Sequence, residues 1–185
     1  MVVRQRPRAG KQAEPKQRVR VLADRLPCRP LRRRTQLDTE DTRLADAFIA
    51  FARDERSAPQ VSDRVLFFLG GGPAGELPAS CADDRKAWRM CPPEKYYAAG
   101  ACPFDVLHVL MYAAVNGFPL VYSPEPRDGA CIIESVRADL SAVQHLRRIV
   151  VSPAARVANC ATDFLLELYY DGGRLAAVNL SLSEP

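Results

Sequence analysis

Positive charge is concentrated at the start of this 185-residue chain. Residues 1–34 hold twelve of the 26 Lys and Arg residues and only two acidic residues, a net charge of +10, whereas the remaining 151 residues have a net charge of −6. A segment with this charge, four prolines and few large apolar side chains cannot bury enough surface to offset its ordering entropy. We therefore predict a disordered basic arm over residues 1–36 and a globular domain over residues 37–185.

The composition of the whole chain limits the class of protein. Hydrophobic residues make up 48% and charged residues 26%, which are ordinary globular values. No apolar run approaches the length of a membrane span, and the N-terminus lacks the apolar stretch of a secretory signal. The prolines of the arm also disfavour the amphipathic helix of a mitochondrial transit peptide. We expect a nuclear or cytoplasmic protein that is not secreted.

Two helices are indicated by apolar spacing and by residues suited to helix ends. Residues 38–56 have an apolar stripe and begin at Asp38 or Thr39, either of which can cap a first turn. The second helix is predicted after Cys102 as cap and ends at Asn116-Gly117. Its apolar residues lie on several sides of the helix, so we expect burial on more than one side; they are Leu107, Leu110, Met111, Ala114 and Val115.

The remaining pattern predicts a sheet. Strands are expected at 64–69, 120–123, 130–136 and 148–152, a third helix at 139–147, and a hairpin of 163–170 with 174–182. Residues 73–100 are polar and contain four prolines, so they are expected to form an irregular surface excursion that carries Trp88. The fold class is therefore α+β, a single compact domain with a mixed sheet, about three helices packed on one side, and a C-terminal β-hairpin.

A glycine-rich string follows the first predicted strand. Residues 70–75 read GGGPAG and satisfy G-x-G-x-x-G, and over about a dozen residues the string resembles the phosphate loop of flavin-dependent oxidoreductases. That resemblance implies a helix beginning at Gly75 whose N-terminus would hold a pyrophosphate. Pro78 follows too closely for such a helix, so a plain glycine turn is the simpler interpretation.

The six cysteines raise two chemical alternatives. None forms a CxxC pair, which favours reduced thiols over a disulfide framework; they are Cys28, Cys81, Cys91, Cys102, Cys131 and Cys160. Zinc ligation by Cys81, Cys91, Cys102 and His108 would need unusually wide spacing, so no metal site is predicted. A thiol at a helix N-terminus would be activated, but no histidine is placed as a base for Cys102, and no catalytic residue is assigned.

The basic arm supplies the functional hypothesis. Its arginine clusters can neutralise phosphates and release counterions, which gives sequence-independent affinity for nucleic acid. The predicted nucleic-acid-binding residues are Arg18, Arg20, Arg29, Arg32, Arg33 and Arg34. The same clusters could instead be read by a nuclear-import carrier. The arm lacks aromatic residues, so base stacking is not expected from it.

We interpret the chain as a non-enzymatic regulatory or accessory factor associated with nucleic acid, with a role in transcription. The arm would contact the phosphate backbone and the body would bind a protein partner, with no cofactor and no membrane association. One alternative is a small cytosolic enzyme that uses the glycine turn 70–75 and Cys102. Another is a protein-interaction domain with a nuclear-import tail.

Overall fold

The computed structural model describes residues 36–92, 102–125, 137–154 and 163–182, together with two short strands in the arm. The chain divides into two units, Met1–Arg33 and Arg34–Pro185. In the first unit, β1 (Val3–Arg4) pairs antiparallel with β2 (Leu22–Ala23). The predicted strand at 130–136 lies outside the described residues.

The second unit is built on a six-stranded mixed sheet, which confirms the α+β class. Its strands are β3 (Val61–Leu69), β4 (Gly72–Pro78), β7 (Leu120–Ser123), β8 (Arg147–Pro153), β9 (Phe164–Asp171) and β10 (Arg174–Leu182). They lie in the order β4-β3-β10-β9-β8-β7, and only β3 and β10 run parallel. A separate two-stranded sheet joins β5 (Arg89–Met90) to β6 (Phe104–Asp105).

The first helix, α1 (Thr39–Ala52), is capped by Asp38, one of the two start residues that the sequence predicts, and ends four residues before the predicted end at Arg56. The side chain of Asp38 accepts the amide of Asp41, and the side chain of Asp41 accepts the amide of Asp38, which forms a capping box. Arg147 donates to both carboxylates and so ties the start of β8 to this helix end. The hydrogen bond to Asp41 raises the pKa of the Arg147 guanidinium, which keeps its charge in place.

Two glycine pairs make the tight turns of the sheet. Gly70 and Gly71 connect β3 to β4, and Gly172 and Gly173 connect β9 to β10, all four with positive φ. A two-residue hairpin with positive φ at both positions suits glycine, which has no Cβ to clash. The predicted C-terminal hairpin is thus confirmed. The irregular excursion predicted from residue 73 is wrong over its first residues, which form strand β4. β4 forms there because an edge strand tolerates proline.

The sequence predicts Trp88 on a surface excursion, but this prediction is wrong. Trp88 lies in the core. It is 0% exposed, and its ring centroid lies 5.5 Å from that of Phe48, 5.4 Å from Phe51 and 6.0 Å from Phe67. Its indole Nε1 donates to the carbonyl of Ala82 at 2.9 Å, so the buried polar group is satisfied. The aromatic cluster fills the space between α1 and the sheet.

The helix count differs from the prediction. The described residues contain two α-helices, because the segment expected as a helix at 139–147 forms a 3₁₀ helix, Arg137–Ala142, and then enters β8 at Arg147. Leu140 and Val143 from this segment cover the sheet face opposite the α-helices. No helix in the described part of the chain is long and apolar enough to cross a membrane.

The second helix, α2 (His108–Val115), is shorter than predicted and begins later. The carboxylate of Asp105 accepts the amides of Leu107 and His108, so Asp105 takes the capping role that the sequence had assigned to Cys102. The helix ends as predicted, with Gly117 at positive φ. Cys102 and Pro103 lie ahead of the helix, outside its first turn.

Candidate functional site

The arginines predicted to bind nucleic acid all lie in the arm, outside the described residues. They are Arg18, Arg20, Arg29, Arg32, Arg33 and Arg34. The structure therefore neither brings them together nor separates them, and the arm's role remains a prediction. The described part of the body offers three features with functional potential: a groove, an exposed apolar helix face and a buried polar row.

A groove of about 500 Å³ runs between α1 and the edge strand β7. One stripe of α1 lines one wall, because its members recur at helical spacing: Asp46, Ile49, Ala50 and Arg53. Leu120 and Tyr122 of β7 line the other wall, and Glu55 and Arg56 lie beyond the end of α1. The volume is in the range of small-ligand sites, but the groove is open along the sheet edge.

Side chains of both charges line this groove: Asp46 is acidic, and Arg53 and Arg56 are basic. At one end the hydroxyl of Tyr122 donates to Asp46 Oδ1 at 2.7 Å. Burial, and then the hydrogen bond to this carboxylate, raise the pKa of the Tyr122 phenol, so it remains a neutral donor. Arg53 and Arg56, at and beyond the C-terminal end of α1, are exposed and make no ion pair within the described residues, and the charge of Arg53 opposes part of this rise in the pKa of Tyr122. The groove is therefore suited to binding a charged partner and holds no activated nucleophile.

The outer face of α2 is apolar and exposed, contrary to the predicted burial on more than one side. Only Leu110 and Ala113 of the helix are buried. Met111 is 43% exposed, Tyr112 39% and Val115 85%. Large apolar side chains grouped on one exposed face are typical of interaction surfaces.

A row of polar side chains crosses the sheet on the face opposite the α-helices. Glu167, 2% exposed, accepts Arg148 Nη1 at 3.2 Å and Asn179 Nδ2 at 2.5 Å. Asn179 Oδ1 in turn accepts the amide of Gly71 at 3.0 Å, and Arg148 also binds Glu125 and the carbonyl of Pro124. The row links three strands, β8, β9 and β10, with the β3–β4 turn and the loop after β7, so its direct role is to fix strand register.

The structure does not support a phosphate-binding glycine loop or a reactive Cys102. Residues 70 and 71 form a hairpin turn and not the entry to a phosphate-binding helix, since β4 continues to Pro78. Cys91 and Cys102 form a disulfide, against the expectation of reduced thiols, so Cys102 is not a helix-activated nucleophile. Among the described residues no group of His, Cys, Asp and Glu is placed to hold a metal ion. Cys28, Cys131 and Cys160 lie outside the described residues.

The groove and the α2 face were missed by sequence reasoning for identifiable reasons. The apolar spacing of α1 predicts a core-facing stripe, but it does not predict that Asp46, Ile49, Ala50 and Arg53 form one wall of a groove, because that depends on β7 lying beside the helix. β7 was predicted, but its place at the sheet edge depends on strand order. Pro119 and Pro124 on either side of it are the one available signal, because prolines bound short edge strands.

Comparisons of the chain with protein-family models, with curated proteins and with solved structures found no match.

Proposed function

We propose that this protein is a non-enzymatic regulatory or accessory factor that associates with nucleic acid and works in transcription. The observation that carries the proposal is the separation of charge, +10 in residues 1–34 against −6 in the rest of the chain. A cationic segment gains affinity from counterion release without needing a folded recognition surface. In this proposal the arm tracks the phosphate backbone, and the protein works in the nucleus or the cytoplasm.

The body is the part that binds a protein partner. This proposal is supported by the exposed face of α2, which carries the apolar side chains of Met111, Tyr112 and Val115. Grouped apolar side chains that remain exposed are typical of a surface that binds a partner. The body's net negative charge disfavours direct contact with phosphates, which leaves nucleic-acid binding to the arm. The arm thus supplies localisation on nucleic acid and the body supplies the second interaction.

The arm is tested by substitution in the full chain. Arg32, Arg33 and Arg34 are changed together to glutamine, and binding to a fluorescently labelled DNA duplex and to single-stranded RNA is followed by anisotropy. We expect the affinity to fall by at least about tenfold, because fewer counterions are released on binding when phosphate contacts are lost. The matched control changes three exposed body arginines to glutamine, Arg64, Arg89 and Arg174, with the same loss of charge and little expected effect.

Two results would contradict the proposal. If both triple variants lose affinity equally, net charge and not the arm is responsible. If neither loses affinity, the arm does not contact nucleic acid, and a role as an import signal becomes the better explanation.

A further inference from the structure

Strand β7 presents an open hydrogen-bonding edge within the described residues. It is the last strand of the sheet and pairs with β8 on one side only. The amide of Ala154 donates to the carbonyl of Pro119 at 2.7 Å, which marks residues 119 and 154 as a bonded pair. Bonded pairs alternate in an antiparallel ladder, so Leu120 and Tyr122 turn their amides and carbonyls away from β8, toward the open edge.

β7 has none of the residue types that usually prevent pairing at a sheet edge. Natural edge strands are protected by lysines, inward charges, prolines or bulges. β7 reads Leu-Val-Tyr-Ser, with no charged residue and no proline between Pro119 and Pro124. Within the described residues no strand pairs with the outward groups of Leu120 and Tyr122, which can therefore bind a second strand of about the same length.

The groove beside this edge is complementary to itself. α1 runs antiparallel to β7, because Arg147 at the start of β8 binds the N-terminus of α1, and β8 starts opposite the end of β7. Asp46 therefore marks the Tyr122 end of the groove, and Arg53 marks the Leu120 end. The two lie seven residues apart on one helix face, about 10 Å along the axis. Glu55 lies between Arg53 and Arg56 in sequence and also lines the groove, so these three residues have a net charge of +1. A two-fold rotation places the acidic Asp46 end of one groove against this net positive end of the other.

We propose that two copies of this chain pair through β7 to form a symmetric dimer with one continuous sheet. With the two-fold axis at Val121, Leu120 of each copy lies opposite Tyr122 of the other. Both residues have outward amides and carbonyls, so each of these two pairs is doubly hydrogen-bonded. Leu120 and Tyr122 share the helix side of the sheet, so each pairing also makes an aliphatic–aromatic contact across strands.

The ionic contacts of the dimer follow from the same axis. Asp46 of each copy faces Arg53 and Arg56 of the other, and these arginines have no ion pair within the described part of one chain. Such pairs set orientation and partner choice more than affinity. The short strand limits the contact area, so dimerisation depends on protein concentration. The inference does not depend on the proposed nucleic-acid role, although a dimer would carry two arms and bind phosphate with higher avidity.

The first test measures the oligomeric state of the full chain by sedimentation velocity, from low micromolar to several hundred micromolar protein. We expect a monomer–dimer equilibrium that shifts with concentration. Leu120→Lys, which places a charge at the open edge, should shift it to monomer while far-ultraviolet circular dichroism remains that of the folded protein. A monomer at every concentration would overturn the proposal, since it would mean that the edge is covered by the chain itself or stays unpaired.

The second test is a charge exchange between two variants. Asp46→Lys alone places like charges at both ionic contacts of a homodimer, and so does Arg53→Glu with Arg56→Glu. Each variant alone should dimerise at least about tenfold more weakly, whereas an equimolar mixture should recover dimers because every contact is then between opposite charges. Asp63→Lys, the same change on β3 near the opposite edge, is the control and should leave dimerisation unchanged. If the mixture does not recover, or the control weakens dimerisation equally, the proposed interface is wrong.

Discussion

The carboxylate of Glu167 lies near the middle of the sheet, between the guanidinium of Arg148 and the amide of Asn179. A charge at 2% exposure is stable only when it is paired and hydrogen-bonded, and both of its oxygens have partners here. Breaking such a pair leaves the other charge in a site of low polarity, which costs more than the pair itself contributes. Arg148 is the residue that would be exposed to this penalty, although Glu125 remains as a second partner.

We predict that Glu167→Gln lowers the free energy of unfolding by about 3 kcal/mol, measured by urea denaturation. The value lies at the low end for a buried pair because Arg148 keeps Glu125. The matched control is Glu76→Gln, which breaks an exposed pair with Arg64 and should cost less than about 1 kcal/mol. Equal losses in the two variants would show that the buried row adds no more than a surface ion pair.

At the scale of elements, the success of sequence reasoning followed the strength of the local signal. α1 and the C-terminal hairpin were predicted because a cap, an apolar stripe and a glycine pair are encoded within a few residues. β4 was missed because its sequence, GPAGELP, has low β-propensity, and pairing with β3 supplies what the residues lack. The burial of Trp88 was missed because the aromatic rings that enclose it belong to α1 and β3, which are distant in sequence.

The disulfide is the clearest case of a feature set by tertiary structure. Cys91 and Cys102 are 11 residues apart, without the spacing of a known motif. The β5–β6 pairing, Arg89 with Asp105 and Met90 with Phe104, brings the two cysteines side by side. A cross-link of this length stabilises mainly by restricting the unfolded chain, by about 2 to 3 kcal/mol.

We therefore predict that Cys91→Ser with Cys102→Ser lowers the melting temperature by about 5 to 10 °C, measured calorimetrically without reductant. Adding dithiothreitol to the unmodified protein should give a similar decrease, and the double variant should not respond to it. Cys81→Ser is the control, because this thiol is unpaired and partly exposed, and should change little. A double variant as stable as the original would mean that the two cysteines are reduced in solution.

At the scale of the whole molecule, positive charge is concentrated in the arm and the body is net negative. The proposed dimer would carry two arms. The body supplies an exposed apolar helix face, a net negative charge and, within the residues that the structure describes, an open sheet edge. The fold class and the charge boundary were readable from the sequence, since both depend on composition along the chain. The groove was not, because it depends on the position of β7 at the sheet edge.

We propose that the arm binds nucleic acid through phosphate contacts alone. The most direct test is the salt dependence of affinity of the full chain for two DNA duplexes of unrelated sequence. If the six predicted arginines each neutralise a phosphate, the logarithm of the association constant should fall with the logarithm of salt concentration at a slope of about −5, equal for both duplexes. A slope near zero, or tight binding to only one duplex, would contradict the account.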